Sequence, residues 1–226
     1  MSNKPVSLNA PLRLRTSFRF PIADRAARTD VLIGAAWLLV PVVGWLLNLG
    51  HRVEVVHRLQ HGRPGFPAWR HPRRLLWHGL VTAAAMVGYT APGGLLTVAG
   101  ISWGSVPVAI VGGVLFVAAI AAIPGFMTHY CVAFDATELF DPVRALRRVS
   151  ACGAAYWRAW GIALAGLAVS VLGLLAAGVG FLVTSVWFWQ VAGFSFATVF
   201  TDTHRLGPAG AEPPLPTPPA ETNEVE

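Results

Sequence analysis

The sequence predicts an all-α integral membrane protein: four transmembrane helices, a further apolar segment broken by proline, and interfacial amphipathic helices. Three observations carry this. Hydrophobic residues fill 54% of the 226 positions and charged residues only 12%, against roughly 25% charged in a soluble domain. The runs Leu75 to Ala99 and Val106 to Ala133 contain no Asp, Glu, Lys or Arg, and about 20 such residues cross a bilayer. The Lys and Arg residues stand beside the apolar runs and leave two of the turns between them neutral.

The chain divides into a basic arm at residues 1–30, a membrane domain at 31–205 and a tail at 206–226. The arm holds six Lys and Arg and no apolar stretch of the kind a cleaved signal needs. Its strings Leu12-Arg13-Leu14-Arg15 and Phe18-Arg19-Phe20-Pro21 mix cations with side chains able to dip into headgroups, so it is expected on the membrane surface; a disordered leader is the alternative for its first part. The tail carries six prolines and four glutamates from Gly207 onward and reads as disordered.

Five apolar segments follow in order: 31–50, 75–101, 106–134, 159–178 and 181–200. In the first, Pro41 lacks an N–H and crowds the carbonyl of Trp37, with Gly44 just beyond. Each half is about 10 residues or about 15 Å, half of a hydrocarbon core of about 30 Å. A re-entrant helical hairpin turning at Pro41 and Gly44 fits that length, and a kinked fifth spanning helix is the alternative. In the second segment Pro92-Gly93-Gly94 is an expected kink. The second and third segments are joined by the neutral turn Ser102-Trp103-Gly104-Ser105, the fourth and fifth by a Gly-rich one. Asp141-Pro142 reads as an N-cap with proline at the first helical position. The helix it opens sets Val143, Leu146 and Val149 against Arg144, Arg147 and Arg148, an interfacial amphipathic pattern in which the arginines contact lipid headgroups.

Charge separates the two topologies. Lys and Arg number six before segment one, six between one and two, none between two and three, four between three and four, none between four and five, and one after. Five crossings would leave at best eleven on one side and six on the other. A re-entrant first segment puts all seventeen on one side, the arrangement the positive-inside bias favours, with both termini cytoplasmic. The expected membrane is the prokaryotic cytoplasmic one, crossed several times.

Net charge of +6 is accounted for by these topology signals and by anionic headgroups, so nucleic acid is not an expected partner. Cys131 and Cys152 are too few for a disulfide framework. His51, Glu54, His57 and His61 fall on one helical face at three- and four-residue steps, which is ligand-like spacing for zinc. The order lacks the reciprocal His-Glu-x-x-His pattern, and a polar stripe facing solvent or headgroups is the plainer reading; no metal or cofactor is expected. Gly166, Ser170, Gly173 and Ala177 form a small-residue face that permits close helix approach, within the chain or between copies. Gln190 is the amide expected to bond across helices. No nucleophile-base pair, phosphate-binding Gly loop or Cys-x-x-Cys motif occurs.

The order of features resembles domain-of-unknown-function family 4013 of bacterial and archaeal membrane proteins. The matching residues are Phe18-Arg19-Phe20-Pro21, Leu32-Ile33-Gly34, Val40-Pro41-Val42-Val43-Gly44 and Leu49-Gly50. They continue with Gly79, Tyr89, Pro92, Pro124, Phe140-Asp141-Pro142 and Ala155-Tyr156-Trp157. His51 stands where a tyrosine is more typical, and the long Pro-rich tail is a second departure. The resemblance implies an integral membrane protein without an established activity and carries over no catalytic residue. The function expected is a non-enzymatic scaffold or accessory subunit of a transport or envelope system, binding lipid and other membrane proteins or itself. A small-solute channel or transporter is the alternative; a membrane-embedded hydrolase or metal-dependent enzyme is a weaker one.

Overall fold

The computed structural model describes Leu8 and residues 11–176, 178–204 and 206. Among these every regular element is helical: α1 (Leu14–Arg19), α2 (Arg25–Trp37), α3 (Val43–Gln60), α4 (Pro72–Ser102), α5 (Val106–Ala133), α6 (Pro142–Leu172) and α7 (Val179–His204). Four helices are long and apolar enough to cross a membrane: α4, α5, α6 with the turn after it, and α7. The tail from Gly207 and the small residue Ala177 lie outside the described residues.

Segment one is two helices. Asp24 caps α2, its Oδ1 accepting from the Ala27 amide at 2.8 Å, so α2 begins inside the stretch read as the basic arm. The chain then reverses over 38–42. Val42 takes a positive φ of 61°, and a Cβ on Gly44 would overlap the Trp37 carbonyl, so only glycine lets α3 start against the end of α2. The helices run antiparallel: Asn48 Nδ2 donates to the Gly34 carbonyl at 3.0 Å and, about one turn further along, His51 meets Asp30. Leu39 and Val42 at the tip are both 70% exposed. The helical stretch that carries His51, Glu54 and His57 continues α3 from segment one without a break.

The long helices form two antiparallel pairs. In α4–α5, Gly93, Gly100 and Gly112 each bring one backbone onto the other. α4 runs through Pro92 without a non-helical residue, so Gly93 serves close approach to Phe116 where a kink was expected. In α6–α7, Gly166 faces Phe188 and Val191, while Gly173 faces Gly180 and Thr184; Thr184 Oγ1 donates to the Ser170 carbonyl at 3.1 Å. The described members of the small-residue face, Gly166, Ser170 and Gly173, therefore pack within the chain.

α6 includes both the helix opened by Asp141-Pro142 and segment four, joined at Gly153, where φ 52° and ψ −132° are not helical. Asp141 Oδ1 accepts from the Arg144 amide at 2.8 Å. Tyr156 Oη donates to the Ala121 carbonyl, fastening α6 to α5 close to Pro124. α3 packs across α4, where a Cβ on Gly50 would overlap the Leu75 carbonyl and one on Gly79 the Leu46 carbonyl. Toward the α4–α5 turn the apolar side chains face outward, with Leu95 69%, Val98 62% and Val114 64% exposed. In water that surface would be unstable; in lipid it is solvated.

The arm does not lie free on a surface. Phe20 is buried, stacked on Phe194 at 4.5 Å and beside Phe66 at 5.1 Å. Phe18 meets Trp187 edge-on, and Trp187 Nε1 donates to the Phe18 carbonyl at 3.2 Å. Arg13, Arg15 and Arg19 remain exposed.

Candidate functional site

The histidine-bearing face of α3 does not converge on one point. His51 is fully buried, its Nε2 2.9 Å from Asp30 Oδ2 and its Nδ1 2.9 Å from Gln190 Nε2. Glu54 pairs with Arg58 at 3.5 Å and Arg74 at 3.3 Å. His57 Nδ1 donates to the Cys131 carbonyl at 2.6 Å, and the exposed His61 donates through Nδ1 to the His57 carbonyl at 2.8 Å. Among the described residues no group of three or more His, Cys, Asp and Glu is arranged to hold a metal ion. Nor is the face a plain solvated stripe, since its first member is in the core.

Asp30, His51 and Gln190 form a buried chain linking α2, α3 and α7. Asp30 Oδ2 also accepts from the Ala68 amide at 2.7 Å, and the Asp30 carbonyl accepts from Trp69 Nε1 at 3.0 Å. The Trp69 indole stacks on the His51 ring at 4.3 Å. The loop before α4 is thereby tied to α2. Burial pushes the His51 imidazole below its usual pKa, opposed by its bond to Asp30 and the Asp30 charge. With Gln190 donating to Nδ1, the neutral ring donates through Nε2 to Asp30. An aspartate-histidine pair is the orienting half of a nucleophilic triad. Here its third member is an amide, and the chain acts as a lock.

Beside the lock lies Arg52, one of the six cations between segments one and two. It is 7% exposed. Its Nη2 donates to Met127 Sδ at 3.2 Å, and its guanidinium lies 4.7 Å from the centre of the Trp189 ring. Among the described residues no carboxylate pairs with it; the ion pairs formed there belong to His51, Arg58, Arg74, Arg144 and Arg148. Burial pulls its pKa down to about 10, so it stays a cation at neutral pH. Gly193 on α7 leaves the room its stem occupies, since a Cβ there would come within 3.1 Å of Arg52 Cγ.

Arg52 opens onto a cavity of about 340 Å³ between the two helix pairs. α3 closes one end with Arg52, Val53 and Val56. The walls are Met86 and Thr90 of α4, Ile120, Ile123 and Met127 of α5, Trp160 and Ala163 of α6, and Phe188, Trp189 and Ala192 of α7. Its lining residues are apolar apart from Arg52, Thr90, Thr128, Cys131 and the two tryptophans. A smaller cavity of about 190 Å³, lined by Leu38, Trp45, Asn48, Phe181 and Gln190 among others, also reaches Arg52.

At the start of α6, Arg144 and Arg148 both hold Glu138, at 3.0 and 2.6 Å, and Arg144 also reaches Asp141 at 3.3 Å. Arg147 forms none of these pairs and is exposed, as are Val143 and Leu146. Of the three arginines expected at headgroups, two are therefore engaged with carboxylates of the chain itself.

Fold and site together define an all-helical protein with four helices long and apolar enough to cross a membrane and, among the described residues, a buried arginine facing a largely apolar cavity. No family model matches the chain, and no curated protein or solved structure matches it.

Proposed function

We propose that this protein is a non-enzymatic membrane module, a scaffold or accessory subunit in a prokaryotic cytoplasmic membrane, with α2 and α3 as a re-entrant hairpin and both termini cytoplasmic. The resemblance to family 4013 belongs to the same reading. One observation carries it: Asp30, His51 and Gln190 close on one another and hold three helices and a loop together. These three polar groups, of the kind that could serve chemistry or proton transfer, are used for architecture. What faces outward on α4 and α5 is apolar surface suited to lipid and to other membrane helices.

The antiparallel course of α2 and α3, the exposed apolar tip and the seventeen cations flanking the spans support the hairpin. The exposed Val143 and Leu146 beside Arg147 support an interfacial first part of α6, where Arg147 meets anionic headgroups.

Two measurements test this. Single cysteines introduced as Arg15→Cys, Arg63→Cys and Ser102→Cys are treated with a membrane-impermeant thiol reagent on intact cells; native Cys131 and Cys152 are buried. The hairpin requires that only the cysteine at position 102 reacts. For the scaffold, a photocrosslinking residue at Val98 or Val114 is expected to capture one discrete protein, another membrane protein or a second copy. Crosslinks to lipid alone, or solute flux through the purified protein in liposomes, would overturn it.

A further inference from the structure

The buried guanidinium of Arg52 has a use that the scaffold reading does not require. A charge removed from water is costly unless it is paired and hydrogen-bonded. Arg52 is nine-tenths buried, yet its polar partners are a thioether and an indole face. A guanidinium carries five N–H donors in a planar fork matched to a carboxylate. Neither a thioether nor an aromatic face satisfies that fork.

The space in front of it is hydrocarbon-like. Thr90, Ile120, Ala163 and Phe188 line a cavity between the α4–α5 and α6–α7 pairs, and α4 and α6 are not among the packed helix pairs. A ligand from lipid would enter by the cleft between the pairs. At about 340 Å³ the cavity sits near the lower end of the roughly 300–1,000 Å³ range of ligand pockets, suited to one slender chain.

We propose that this cavity binds a single-chain anionic amphiphile, a long-chain fatty acid as its carboxylate, with the acyl chain between the helix pairs and the carboxylate on Arg52. The bidentate pair supplies Arg52 with the anion it lacks among the described residues and fixes which end of the ligand enters. Ionisable residues inside a membrane bundle ordinarily have such a partner. A diacyl phospholipid would have to bring a glycerol, a bulkier head and a second chain to the same nearly enclosed guanidinium.

The test is native mass spectrometry of the full-length protein in neutral detergent, titrated with palmitate, palmitate methyl ester or a diacyl phosphatidylglycerol. Wild type is expected to hold one palmitate at least about tenfold more tightly than the ester, as befits a charge-assisted pair. Arg52→Gln is expected to bring palmitate down to the affinity of the ester and to leave ester binding unchanged, which also reports that the cavity persists. Arg52→Lys, keeping the charge without the fork, should fall between. Equal binding of acid and ester by wild type, no retained palmitate, or preference for the phosphatidylglycerol would each overturn the proposal. Should Arg52→Gln fail to fold, the acid-against-ester comparison in wild type decides alone.

Discussion

Gln190 Nε2 lies 2.9 Å from His51 Nδ1, a bond between residues 139 positions apart in the chain. It joins the last spanning helix to the hairpin of segment one, and through His51 reaches Asp30 on the other limb. Helix pairs that could slide past one another on greasy faces are thereby held in one register.

Removing Asp30 should be costly out of proportion to its size. Asp30→Ala leaves the Ala68 amide and His51 Nε2 unpaired in a dry site, and breaking a buried pair costs roughly 3–5 kcal/mol. A large fall in the unfolding temperature of the purified protein in detergent is the expected outcome.

Acid should weaken the same lock. Burial holds His51 below its ordinary pKa despite Asp30, with Glu54 and Arg58 acting on it as well, and it lowers the partly exposed His57 too. A histidine whose folded pKa lies below its unfolded value of about 6.5 binds protons more readily when unfolded. Its contribution is therefore whole above about pH 6.5 and is lost as pH falls through the folded pKa. Unfolding temperature should be flat between pH 8 and 7 and drop toward pH 5, with a shallower drop in His51→Gln.

Two glycines of α4 should respond oppositely to the same change. A Cβ at Gly79 meets the Leu46 backbone, whereas at Gly88 nothing lies within 4 Å. Gly79→Ala should cost roughly 1–3 kcal/mol by forcing α3 off α4. Gly88→Ala should be neutral or stabilising by up to about 1 kcal/mol through helix propensity. Parallel thermal unfolding curves distinguish them.

Gly153 makes a conformational prediction. Open space surrounds it, so a Cβ meets no neighbour, but φ 52° with ψ −132° is hardly available to other residues. Gly153→Ala should cost about 1–3 kcal/mol, read as lowered thermal stability, and Gly153→Asn should recover little because ψ is far from the left-handed helical value.

Much of the architecture is legible in local pattern. Uninterrupted apolar runs mark α4, α5 and α7, and Asp141-Pro142 marks the start of α6. Pro41 and Gly44 locate the reversal in segment one, because a missing N–H and a missing Cβ act on their immediate neighbours. The joint at Gly153 is not legible: a lone glycine in a helical pattern gives no sign of its φ. The site is less legible still. Asp30 falls at the edge of a stretch read as an arm, and Arg52 reads as one topology charge among six.

By itself, then, the sequence determines the solvent, the number of helices long and apolar enough to cross it, and where the chain can bend, since each depends on properties summed or fixed over a few neighbouring residues. Only the tertiary structure decides that His51 leaves its helical stripe for Asp30 and Gln190, and that Arg52 stays in the core with no carboxylate beside it among the described residues. Those outcomes depend on which helix faces meet and how closely glycines such as Gly50 and Gly79 let them approach.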